Sequence, residues 1–165
     1  RDLVRSRGLG DVYKRQNQSI GVASAAGKAY IHSAGKTQDV SKVWSNLGEQ
    51  DAFLESMAAS AQAVADYFGD KILYINVMNN LSIDCDCDAH PHDPEMKDIG
   101  ILASLDPVAL DQASLDLVHA VQPSEGNNSK PLIERIKSRN GQHTVDHAER
   151  IGMGSKKYEL VELQL

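Results

Sequence analysis

Apolar residues at Phe53, Met57, Ala61, Val64 and Phe68 recur at spacings of four, four, three and four. That period predicts a helix over 50–68 with those side chains as its buried stripe. Alanines 58, 59, 61, 63 and 65 keep the helix thin, and Gly69 suits the position after its last turn. A second helix is predicted from Asp106 onward. Asp106 is a strong N-cap, Pro107 falls where a missing N–H costs nothing, and Leu110, Ala113, Leu117 and Val121 supply the stripe. Asp111 and Asp116 lie off that stripe and are expected to face solvent. Shorter helices are expected at 131–139 and 145–151, each followed by a glycine.

Two short apolar runs, "KILYINVM" (71–78) and "DIGILASL" (98–105), read as strands buried on both faces. "YELVEL" (158–163) alternates and reads as a last strand, and the Gly-, Ala- and Ser-rich stretch 19–35 reads as a short strand with a turn at Gly27. The order of elements predicts an α/β domain, a mixed or parallel buried sheet flanked by helices. Strands apolar on both faces need cover on both, so the domain is expected to be incomplete. The chain opens on Arg1 rather than methionine, in keeping with a piece of a longer protein. Residues 1–16 show no periodicity and read as a non-native or disordered leader, which leaves 17–165 as the domain proper.

Charge sharpens this division. The chain of 165 residues carries a net −6, yet residues 1–16 hold Arg1, Arg5, Arg7, Lys14 and Arg15 against Asp2 and Asp11. The remainder is therefore strongly acidic, which argues against nucleic-acid binding and suits a cation. No apolar run is long enough to span a bilayer, so no membrane partner is expected. Both cysteines of the chain lie in one motif, and no export signal is visible; the expectation is a reducing cytoplasm.

That motif, "NLSIDCDCDAHPHDPEMKDIG" (80–100), carries the candidate chemistry. On an extended backbone Cys85 and Cys87 share one face and Asp84, Asp86 and Asp88 the other. Two thiolates on one side could hold zinc or iron, with His90, His92 and Asp88 or Asp93 completing the set after the turn at Pro91. The aspartates oppose thiol ionisation unless a metal offsets them. Two other readings stay open: a strained C-x-C redox disulfide, and a buried cysteine pair beside a solvated loop. His32 is a further candidate ligand if the fold brings it near, although a structural role fits it as well. His143 and His147, at i and i+4, could share a helix-face metal, but the H-E-x-x-H pattern of a zinc peptidase is missing. No G-x-S-x-G nucleophile motif occurs either.

The blocks "SIGVASAAGKAYIHS", "INVMNNLSIDCDCD", "DIGILASLDPVALDQASLDLV" and "AERIGMGSKKYELV" together resemble the C-terminal part of the DUF362 family, whose uncharacterised members are often labelled iron–sulfur center proteins. The resemblance implies a missing N-terminal half and a metal-linked or redox function, with a redox partner or a second copy of the chain as possible associates. Many members carry ferredoxin-type C-x-x-C-x-x-C-x-x-x-C-P runs. None occurs here, and two cysteines do not supply the four thiolates of a 4Fe–4S cluster. The alternatives are an enzyme whose site needs the missing half, or a structural domain with no chemistry of its own in this part.

Overall fold

A computed structural model describes residues 21–84, 90 and 92–163. The leader expected at 1–16 lies outside the described residues. Helix α1 spans Ala25–His32, α2 Gln50–Phe68, α3 Pro107–Ala120, α4 Lys130–Ser138 and α5 Gln142–Arg150, with strands β1 at Tyr74–Met78 and β2 at Gly100–Ser104. A short 3-10 helix, Val40–Ser45, links α1 to α2. The α/β class holds. Its sheet has two strands running antiparallel, with Tyr74 opposite Ser104 and Met78 opposite Gly100. Between them lie residues 79–99, and among the described ones there is no helix of the kind that a crossover between parallel strands uses.

Among the described residues, packing occupies one face of the sheet. Helix α3 lies against both strands, and the main core joins Met78, Leu81, Met96, Val108, Leu115 and Val118 to Leu132, Ile136, Val145 and Ala148 of α4 and α5. The opposite face, with Ile75, Val77 and Ile101, is exposed. The strands were expected to be buried on both faces, but burial alternates along β1 and the outer face is exposed.

Three other expectations are corrected. The stretch 19–35 contains helix α1, not a strand: Ser24 caps it by accepting from the Gly27 N–H, and its alanines favour helix. The buried stripe of α2 is Leu54, Met57, Ala58 and Ala61, with Phe53 half-buried and Phe68 exposed. The stripe is rotated because α5 packs along the Glu55–Ala58–Gln62 side, where the small Ala58 permits close approach. Residues 158–163 form no strand, because no described strand lies beside them.

Asp106 joins the sheet, α3 and the segment after α5. Its Oδ1 accepts from the N–H groups of Val108 and Ala109, at 2.8 and 3.1 Å, so it caps α3 as expected. Its Oδ2 accepts from the Ser155 N–H at 2.8 Å. A Cβ on Gly154 would collide with the Asp106 carboxylate. Lys156 then holds the segment to α5, through its N–H to Glu149 Oε1 at 2.8 Å and its Nζ to Asp146 Oδ1 at 2.8 Å. The strap 152–157 therefore doubles back over α5 and is bolted to the start of α3. Gly154→Ala should destabilise the protein by about 1–3 kcal/mol through overpacking, and Asp106→Ala by about 1–2 kcal/mol through loss of the cap. Urea unfolding at constant slope measures both. A Gly154→Ala protein as stable as the parent would show that the strap does not press on Asp106.

Candidate functional site

The loop after β1 is closed at its base by side chains. Ser82 Oγ accepts from the Asp84 N–H at 3.2 Å and donates to the His92 carbonyl at 2.9 Å. The Asp84 Oδ2 then accepts twice from His92, from its main-chain N–H at 2.9 Å and from its ring Nδ1 at 2.6 Å. Arg135 of α4 stands 3.6 Å from the other carboxylate oxygen. The backbone and ring hydrogen bonds from His92, helped by the Arg135 charge, hold the Asp84 carboxyl below its ordinary pKa despite some burial. Asp84 is thus an ionised clasp on residue 92, drawing the ends of the segment 84–92 together.

Cys85, Cys87 and Asp88 fall inside that segment and lie outside the described residues. His90 is exposed, and the His92 ring is exposed but held by Asp84. His32 ends α1, with its Nδ1 2.7 Å from the Lys28 carbonyl and its ring stacked on Phe53 at 5.4 Å. Its described contacts are those of a helix-end residue packed on α2. Among the described residues no group of three or more His, Cys, Asp or Glu side chains is placed to hold a metal ion.

Sequence reasoning missed the clasp itself. Asp84 was expected to add repulsion beside the thiols, whereas its charge is turned toward His92 and Arg135. The available signal was Ser82-x-Asp84, a short polar pair of the kind that bonds its own backbone.

A second polar cluster lies between sheet and helix. Asp111, expected in solvent, is 8% exposed. Asn76, on the packed face of β1, donates to Asp111 Oδ1 at 3.3 Å and to Ser114 Oγ at 3.0 Å, and Ser114 donates on to the Leu110 carbonyl at 2.8 Å. An asparagine in the middle of the apolar run "YINVM" was the clue, because a buried amide needs partners. Asp116, by contrast, is exposed as expected.

His143 and His147 face α2 rather than an open site. Glu55 Oε1 stands 3.0 Å from His143 Nε2 and 3.4 Å from Arg150 Nη2. His147 Nδ1 lies 2.9 Å from the same guanidinium and 3.3 Å from Glu55 Oε1. Unprotonated, this nitrogen accepts from Arg150; protonated, it donates to Glu55. Burial holds the His147 pKa below its ordinary value, against the pull of the Glu55 charge. The His143 hydrogen bond keeps the Glu55 carboxyl below its own ordinary range.

An acidic α/β protein with a clasped cysteine–histidine loop is the class that these features define. A family model of DUF362, a domain of unknown function, matches residues 16–116, and the chain belongs to that family. No curated protein and no solved structure matches the chain. No helix among the described residues is long and apolar enough to cross a membrane.

The Glu55 cluster makes stability depend on pH. His147 has a folded pKa below its ordinary value of 6.5, so as pH falls past that value the unfolded chain takes up a proton that the folded chain resists. Glu55, with its pKa lowered from 4.5, remains ionised over this range and loses its contribution only at lower pH. The thermal midpoint should therefore fall between about pH 7.5 and 5.5. His147→Asn keeps an acceptor for Arg150 but does not titrate, so it should flatten that fall. An unchanged slope would remove His147 from the account.

Proposed function

We propose that this protein binds a single borderline or soft divalent ion, zinc or iron(II), in the loop 84–92. Cys85 and Cys87 are the first ligands as thiolates, and His92 the third, with His90 or Asp88 completing the set. The observation that supports this most is the double hydrogen bond from His92 to Asp84. It orients the imidazole through Nδ1, as carboxylates behind metal-bound histidines do, and directs ligation to Nε2. It also closes the segment carrying both cysteines before any ion arrives, which lowers the ordering cost of assembling the site. The committed charge of Asp84 removes one source of repulsion at the thiols.

A four-iron cluster does not fit. The chain has two cysteines, and a cluster of that size takes about four thiolates. An iron–sulfur role would need ligands from outside the given sequence. The reading is therefore a metal-linked member of the family working in a reducing compartment such as the cytoplasm, where both thiols stay available.

Zinc(II) or anaerobic iron(II) titration of the reduced protein, followed by calorimetry, tests this. The parent should bind one ion per chain, and the Cys85→Ser/Cys87→Ser variant should lose binding. Asp84→Ala should weaken it by about 10- to 100-fold, the usual cost of removing the group that orients a ligand. Equal binding by the parent and the double serine variant would end the proposal.

A further inference from the structure

The turn between α4 and α5 holds the one Asn–Gly pair of the chain, Asn140–Gly141. An asparagine followed by glycine carries its own chemistry. The main-chain nitrogen of the glycine can attack the side-chain Cγ of the asparagine, and glycine leaves that approach open because it has no Cβ. A C–N bond forms and closes a cyclic imide. The amide nitrogen leaves as ammonia, with the proton given up by the glycine nitrogen. Water then opens the imide at either carbonyl, giving aspartate or isoaspartate. The reaction takes up one water and releases one ammonia, with no oxidant or metal.

The fold ties down both reacting groups. Asn140 is the left-handed residue that ends α4, with φ 51°, a conformation that asparagine tolerates better than most residues. Its N–H donates to the Lys137 carbonyl at 3.0 Å, and the Gly141 N–H donates to the Ile136 carbonyl at 2.8 Å. These are the paired bonds of a Schellman end. The attacking nitrogen is therefore engaged, and Gly141 is buried. The electrophile is held as well, because Asn140 Nδ2 donates to Asp51 Oδ1 of α2 at 2.7 Å. Beside it, Gln50 Nε2 donates to the Arg139 carbonyl at 3.0 Å, so the same turn fastens the start of α2. Asn140 and Asp51 are exposed, and surface bonds of this kind open locally without global unfolding.

We propose that Asn140 is a modification site, deamidated when the α4–α5 turn opens and held back by Asp51 while the turn is closed. Asp51 acts as a positioning residue: it keeps the Asn140 amide on α2 and out of reach of the Gly141 nitrogen. The product changes the seam. A carboxylate at position 140 cannot donate to Asp51, and it sets two like charges where a hydrogen bond stood. Isoaspartate also routes the main chain through an extra methylene, in a turn whose two closing bonds depend on residue spacing. Either product loosens this end of the contact between α2 and α5, and reclosing does not reverse it. The site is remote in sequence from the metal loop and does not rest on metal binding.

Peptide mapping by mass spectrometry follows the conversion in the full chain, incubated in mildly alkaline buffer with and without urea. Asn140 should deamidate in both, at least ~10-fold more slowly in native buffer, where both hydrogen bonds must open first. Asp51→Ala should raise the native rate by about 2- to 10-fold, the factor that one lost hydrogen bond gives, and leave the rate in urea unchanged. Asp51→Asn keeps a neutral acceptor and should stay near the parent. Asn140→Asp, which copies one product, should lower the thermal midpoint more than Asn140→Gly, which suits the left-handed position and adds no charge. No conversion at Asn140 in urea, equal rates in native buffer and urea, an Asp51→Ala rate equal to the parent's, an Asp51→Asn rate equal to that of Asp51→Ala, or an Asn140→Asp midpoint equal to the parent's would each overturn the proposal.

Discussion

The Asp106 carboxylate holds together the end of β2, the start of α3 and the segment beyond α5. It stands where β2 has ended and α3 begins, and its two oxygens serve different segments. One oxygen satisfies N–H groups that the first turn of α3 leaves without partners, where a negative charge also complements the helix dipole. The other fixes the strap beyond α5. With that strap in place, Lys156 can reach Asp146 and Glu149, and α5 is held between the strap and α2. The closeness of Gly154 to the carboxylate shows how little room the arrangement leaves. Aspartate is used here as a junction, which accounts for its presence without invoking catalysis.

Much of this was legible in the pattern of residues. The long helices were, because periodicity over many turns leaves few alternatives, and α2 occupies the range the spacing predicts. The cap of α3 was legible because Asp followed by Pro is a strong start signal. What escaped were features set by partners. The orientation of α2 depends on α5, about ninety residues away, and no local window contains that information. Residues 158–163 read as a strand, but no strand lies beside them among the described residues, and a local pattern does not supply one. Helix α1 was hidden by glycine and serine that read as a turn, although Ser24 is in fact its cap.

The candidate site was legible in its ingredients and not in its geometry. Cysteine and histidine spacing drew attention to 85–92, but the clasp depends on the Asp84 side chain turning back across the loop, which spacing does not encode. Buried Asp111 shows the same limit from the other side. Its place off the apolar stripe implied solvent, yet the Asn76 amide of β1 meets it in the packed layer. The two polar clusters differ in kind. The Asp84 clasp shapes a surface loop, whereas Asn76, Asp111 and Ser114 fix how the sheet seats on α3.

The seam between α2 and α5 also governs the order in which the chain can fold. Its bonds are long in sequence: Gln62 donates to the Ile151 carbonyl at 2.9 Å, and Asn140 donates to Asp51 at 2.7 Å. Contacts of such separation form late, after local structure has closed. On a ribosome, at roughly 5–20 residues per second, α2 emerges on the order of 5–20 s before α5 exists to cover it. During that interval Ala58, which packs with Val145 and Ala148 of α5, faces water on a helix already long enough to form, whereas Met57 can already meet Ile31 of α1. The alanines that thin this face for its eventual partner also limit how sticky it is while it waits.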